Sequence, residues 1–330
     1  MTENVDTLSH LDEQAKLGWK SAAELVKPFG PVAGNFAEAI RLLVAAHCSE
    51  SSEASLAGQN HVLRLIKNET IKATYYFFCK QFRPELLSEK RPVTERDFLA
   101  AFKPIDHAAI LTFCYLFKTL GKKIEGDEWD YVQIPLYEAL AIGGRVGQSI
   151  KDIGLGLGLL TRGVRYLAFA TFMRENRKGF KEYRRHLKSL DIPFDQAFEE
   201  NLWQCSSIQI AGLLLERMGY PRAVGLQLVA AGERSSVTEA DAKFGVPFRM
   251  AECLLDAYME GHEIPTSTPS WVGKEIDLPA EVRGTLLAAL NQVLEQKNRI
   301  EWLSKSSTDI SQTNTPELFA ENAEAPAPSS

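Results

Sequence analysis

Several signals are missing from this sequence, and each absence removes a class of protein. The five cysteines, Cys48, Cys79, Cys114, Cys205 and Cys253, form no C-x-x-C pair, so neither a thiolate zinc site nor a dithiol redox centre is spelled out. Their odd number and apolar helical surroundings fit reduced core thiols of a cytoplasmic protein. No two of the six histidines stand four apart, which removes the H-x-x-x-H metal pair. The longest apolar run, Ala108 to Phe117, falls well short of the ~20 residues that cross a bilayer and reads as core. The first residues, MTENVDTLSHLDEQAK, lack the basic-then-apolar order of a secretion signal. Excess positive charge is missing too: 37 Lys+Arg against 43 Asp+Glu leave a net charge of -6, the wrong sign for a protein that coats nucleic acid. Alternating apolar and polar residues, the mark of a half-buried strand, are not found either.

What is present has the helical period. Phe36, Ile40 and Leu43 share a face, and Phe198, Leu202, Cys205, Ile208, Gly212 and Leu215 make a stripe over several turns. Thr94 with Asp97, and Thr238 with Asp241, have capping-box spacing; Asp191-Ile-Pro193 and Asp277-Leu-Pro279 add two proline-marked helix starts. The class is therefore all-α. Residues 1–20 read as a polar N-terminal segment, 21–234 as the main helical domain and 235–303 as a helical extension. In that extension Val282, Leu286, Leu290, Val293 and Ile300 line a docking face, with Glu295 and Arg299 paired elsewhere on the helix. Residues 304–330, rich in Ser, Thr, Pro, Ala and Glu, read as a disordered tail.

Candidate chemistry is sparse. The glycines at 143, 144, 147, 154, 156 and 158 have neither dinucleotide-fingerprint nor P-loop spacing, so they are expected to let two helices and a turn approach closely. Asp106-His107, an adjacent acid–histidine pair, sits beside an apolar run, where a core-edge histidine is expected. Ser149 lacks the flanking glycines of a nucleophile elbow, and Cys205 has no local partner histidine. Ser235 to Gly261 has the outline of a helix-turn-helix with its turn at Gly245. Its second helix offers only Arg249 against Glu252, Asp256 and Glu260, so phosphates would be repelled and nucleic acid is not an expected partner. The stronger signal is basic: Arg174, Arg177, Lys178, Lys181, Arg184, Arg185 and Lys188, spaced mostly three or four apart with Phe180 and Tyr183 between them. On an acidic chain this is where a phosphate-bearing or acidic partner would dock.

Three ordered segments resemble the HD-related output domain (HDOD) family of bacterial signalling proteins. They are Arg91 to Phe117; Trp129-Asp130-Tyr131 with Gly158-Leu159-Leu160 and Thr161-Arg162-Gly163; and Ala211 to Pro221 (AGLLLERMGYP). The resemblance spans about Leu25 to Gly232 and implies an HD-like multi-helix bundle. In related HD hydrolases a histidine and an adjacent His-Asp pair hold a divalent metal that generates hydroxide. Carried over, those positions hold Tyr131, Thr161 and Arg162, a later histidine falls on Ser207, and a histidine pair falls on Ala231-Gly232.

The resemblance thus implies a degenerate member with no catalytic residues, metal or cofactor, serving as a cytoplasmic regulatory or scaffold module. It would bind a signalling protein or a small anionic ligand, with no membrane contact. The alternatives are a residual HD-type phosphohydrolase built on Asp106, His107 and Asp152, and, behind it, DNA binding through the Ser235 to Gly261 hairpin.

Overall fold

A single helix that is buried on every side organises the molecule. In α8 (Leu155–Glu175) every residue from Leu155 to Met173 is buried. A helix without an exposed face has to be surrounded by other elements, and α8 is packed by α1 (Glu13–Val26), α6 (Pro104–Gly121), α7 (Asp130–Ser149), α9 (Arg177–Leu190), α11 (Ser207–Met218) and α13 (Ala242–Met259). Around this shell, α2 (Gly34–Ser49) packs on α3 (Ser52–Ile66) and α6, with α4 (Glu69–Phe82) and α5 (Glu95–Ala101) against α3. On another flank α10 (Gln196–Trp203) lies beside α9, and α12 (Arg222–Gly232) bridges α11 and α13. Finally, α14 (Ala280–Glu295) packs on α7 and the short α15 (Ser307–Ser311) on α4. This is a computed structural model, and it describes residues 13–49, 52–87, 93–124, 126–233, 242–259, 261–269, 275–295 and 302–311.

The all-α expectation holds, with one addition. A three-residue antiparallel ladder joins β1 (Ser267–Pro269) to β2 (Glu275–Asp277), with Thr268 opposite Ile276. Three residues are too few to display an alternating pattern, so the sequence carries no legible sign of it.

The glycine cluster does what its composition implies. A Cβ at Gly143 would stand 2.3 Å from the Gly158 carbonyl oxygen, one at Gly158 2.2 Å from that of Gly143, and one at Gly147 2.2 Å from that of Gly154. Helices α7 and α8 therefore meet backbone to backbone. The connecting turn passes through Gly154 at φ 76°, a conformation that L side chains rarely adopt.

Local capping accounts for several helix starts and corrects others. Thr94 and Asp97 form the expected reciprocal box at α5. The start expected at Asp191-Ile-Pro193 lies further on: Asp191 ends α9 in the left-handed region, and Asp195 caps α10 by accepting from the Phe198 N–H at 3.0 Å. The stripe from Phe198 to Leu215 is not one helix, because Gln204 (φ 57°) ends α10 and Ser206, boxed with Gln209, opens α11. The turn expected at Gly245 is absent, and α13 runs through Gly245 and Pro247 without a break. Burial of Phe244, Phe248, Met250 and Leu254 holds that helix together despite the hydrogen bond its proline cannot donate. The Thr238–Asp241 box lies outside the described residues.

The expected ends also shift. α1 begins at Glu13, so a boundary at residue 20 falls inside a helix whose Ala22, Leu25 and Val26 are buried. Leu286, Leu290 and Val293 of α14 are buried as expected, whereas Ile300 lies outside the described residues. The tail does not hang free from residue 304. Trp302 is sealed against Phe78 and Phe113, Ser306 and Asp309 cap α15, and Ile310 packs on the core. Cys48 is a further correction: it is exposed near the end of α2, unlike the buried Cys79, Cys114 and Cys205.

Candidate functional site

The positions that the resemblance sets against the HD ligands, Tyr131, Thr161, Arg162 and Ser207, have different partners. Tyr131 lies in the first turn of α7 with 43% of its surface exposed. Thr161 is buried and its hydroxyl donates to the Leu157 carbonyl at 2.7 Å, one turn back on α8. Arg162, next in sequence, is buried against α13. Its Nε donates to Glu252 Oε2 at 2.9 Å, its Nη2 pairs with Asp256, and its Nη1 lies 2.8 Å from Met259 Sδ. Ser207 belongs to another network. Its N–H and hydroxyl donate to Glu199 at 2.6 and 2.8 Å, Arg165 Nε donates to its Oγ at 2.8 Å, and Tyr183 Oη donates to Glu199. Burial pushes the Glu199 carboxyl upward, against the pull of Arg165, and burial with the neighbouring Glu199 pushes the Tyr183 hydroxyl upward.

Asp106 and His107 are both hydrogen-bonded within the fold. Asp106 accepts from the Lys103 N–H at 2.9 Å through one oxygen and from the Gly156 N–H at 2.7 Å through the other, so one carboxyl ties the first turns of α6 and α8 together. His107 has Nδ1 3.0 Å from Tyr75 Oη and Nε2 3.2 Å from the Leu99 carbonyl. A carbonyl only accepts, so Nε2 carries the proton and Nδ1 receives the tyrosine hydroxyl. Asp152 is exposed in the turn before α8. Among the described residues no three His, Cys, Asp or Glu side chains are placed to hold a metal ion.

Complete burial lowers His107 to about 4. Between about pH 6.5 and 4 the unfolded chain binds a proton that the folded chain refuses. The stability this residue contributes is thus complete above that window and is lost as pH falls through it. His107→Gln, which keeps an amide donor, should flatten the fall in chemical-denaturation midpoint between about pH 6.5 and 4.5. An unchanged slope would assign the effect to other groups.

The basic run is divided by the fold. Phe180, Tyr183 and Leu187 face inward from α9, while Arg174 belongs to the last turn of α8 and donates to the Leu25 carbonyl at 2.7 Å. Arg177 and Lys181 both pair with Glu128, at 2.6 and 3.0 Å. These two salt bridges hold the Glu128 carboxyl below its ordinary range. Arg184 lies over the Tyr131 ring, its carbon 5.9 Å from the centroid, and its buried Nε has no hydrogen-bond partner. Lys178, Arg185 and Lys188 are exposed.

Two adjoining clefts open beside α9. The first, of about 510 Å³, is lined by Tyr131, Lys181, Arg184, Arg185 and Lys188 over Leu187 and Ile192. The second, of about 740 Å³, shares Arg184, Asp191 and Ile192 with it and extends between α7, α13 and α14 to Ile134, Tyr166, Met259 and Leu287, with Glu138, Asp256 and Arg162 also in its lining. Tyr131, Ile134, Met259 and Leu287 are exposed large hydrophobics, and all four line this pair of clefts. Cationic side chains thus meet an apolar rim on one surface.

Sequence reasoning found the cations and missed the rim. Ile134 and Tyr131 look like ordinary members of an amphipathic helix, and nothing in the order of residues shows that Met259 and Leu287 come beside them. No family model, curated protein or solved structure matches this chain.

Proposed function

We propose that this protein is an HDOD-like regulatory or scaffold module that works by binding, with the paired clefts beside α9 as its docking surface. The observation that carries the reading is the convergence of Lys181, Arg184, Arg185 and Lys188 with an exposed aromatic and apolar rim. Arg162 supports it from a second side. At one of the HD-like positions a fixed cation is already neutralised by Glu252 and Asp256, an arrangement that opposes a divalent ion there. The clefts suit a partner that brings carboxylates or phosphates together with apolar groups.

The residual-hydrolase reading loses support because both oxygens of Asp106 and both ring nitrogens of His107 are engaged. DNA reading by a second helix loses its basis in the continuity of α13. The triple charge reversal Arg177→Glu, Lys181→Glu and Arg184→Glu should abolish capture of partners in pull-downs from the source cells. Unchanged capture would overturn the docking assignment. Circular dichroism should show the helical content intact, since Arg177 and Lys181 are exposed and Arg184 is only half-buried.

A further inference from the structure

We infer that the chain's own segment 316–324 is an occupant of these clefts, docking within the same molecule so that an outside partner must displace it. The inference rests on the docking reading above and names the chemistry that the surface accepts.

Three observations support it. The first is charge. No basic residue follows Lys305, while Glu317, Glu321 and Glu324 punctuate the sequence PELFAENAE. The clefts offer Arg184, Arg185 and Lys188 beside the acids Asp191, Glu138 and Asp256, and among the described residues Arg184 has a buried N–H without an acceptor. Such a donor is costly to leave unmade and is answered by a carboxylate. The second is apolar complementarity. Leu318 and Phe319 are the only large apolar residues beyond Ile310, and acids stand at 317 and 321 on either side of them. In the clefts Tyr131, Ile134, Met259 and Leu287 are exposed, with Lys181, Arg184, Arg185 and Lys188 at the Tyr131 end. An aromatic anchor between flanking carboxylates is the kind of short motif such a surface holds.

The third is reach. The chain is anchored through α15, which packs on α4. The Phe82 ring at the end of α4 abuts α7 at Gly144, close enough that a Cβ there would lie 2.4 Å from it. From Gly144 to Tyr131, α7 spans roughly 20 Å at 1.5 Å per residue. The eight residues from Ser311 to Phe319 reach roughly 27 Å when extended. An extended segment of that length exceeds the stretch of α7 between Gly144 and Tyr131. A tethered segment competes at a high effective concentration, so even weak docking would set a threshold for any partner in solution.

Carbodiimide coupling of the full-length protein tests this, because it joins a lysine amine to a carboxylate only where the two touch. Mixing light and heavy isotope-labelled chains separates coupling within a chain from coupling between chains. Lys188, or Lys181, should couple to Glu317 or Glu321 within single chains. Phe319→Ala should lower that yield about fivefold, a loss of about 1 kcal/mol. Coupling of Lys181 to Glu128, already paired at 3.0 Å, reports that the fold is intact in both proteins. Absence of cleft-to-segment coupling, coupling only between light and heavy chains, or a yield indifferent to Phe319→Ala would each overturn the inference. If it falls while the triple charge reversal still abolishes partner capture, the docking reading stands. If the reversal leaves capture unchanged, the docking reading falls whatever the coupling shows.

Discussion

Arg162→Met should lower the unfolding free energy by about 3–5 kcal/mol, the range found when one partner of a buried ion pair is removed. The Arg162 side chain is 3% exposed and that of Glu252 7%, so water cannot take over the lost contact. Glu252 Oε1 already has no hydrogen-bond partner, and losing Arg162 would leave Oε2 without this donor as well. Asp256 is 27% exposed and should suffer less, because solvent reaches it. The double variant Arg162→Met, Glu252→Leu should recover most of the loss, since replacing a buried pair by apolar groups of similar volume is often neutral or better. Urea denaturation at neutral pH measures all of this. A single variant within 1 kcal/mol of the parent protein would show that the pair is not closed to water as described. The outcome also bears on function: a costly, well-paired Arg162 is a structural tie between α8 and α13 rather than a group held ready for a ligand.

The parts of the fold that were legible in the sequence are those decided by short-range physics. Helical periodicity, the Thr94–Asp97 box and the core position of Ala108 to Phe117 all depend on neighbours within one or two turns. The glycine cluster was readable for the same reason, since small residues three or four apart on two successive helices have few other uses. Errors arose where a competing local signal won. Gln204 took a left-handed conformation inside an apparently continuous stripe, and Asp195 displaced Asp191 as the cap because its side chain reaches the Phe198 N–H. In α13 the reverse happened, and tertiary burial overrode Gly245 and Pro247.

The candidate site was half legible. The cations of α9 announce themselves by number, but their division does not: Glu128, from the turn before α7, occupies Arg177 and Lys181, while the rim next to Arg184 comes from α7, α13 and α14. Those contacts link residues as far apart as Ile134 and Leu287, and no sequence spacing encodes them. Asp106 makes the same point. It reads as a possible ligand beside a histidine, yet its second oxygen is taken by an N–H fifty residues later in the chain.

The approach of α7 to α8 supplies the other large effect. Gly158→Ala should destabilise the protein by about 3 kcal/mol, the upper end of the usual cost of overpacking a close-packed interior. Two features place it there. The added carbon would meet the Gly143 carbonyl oxygen at 2.2 Å and the Gly147 backbone at 3.0 Å, and backbone atoms cannot step aside as a flexible side chain can. Relief therefore requires the two helices to move apart along a contact that also includes Gly143 and Gly147. Because α8 is buried on all sides, that displacement is transmitted to α6, α11 and α13. Gly284→Ala is the matched control: Gly284 also sits inside a helix, α14, but none of the described residues lies within 4 Å of where its Cβ would be. There alanine should stabilise by about 0.5–1 kcal/mol through helix propensity alone. Thermal and urea unfolding of the two variants should move in opposite directions. Equal shifts would mean that α7 and α8 tolerate a Cβ between them, and the backbone contact that organises the molecule would have to be abandoned.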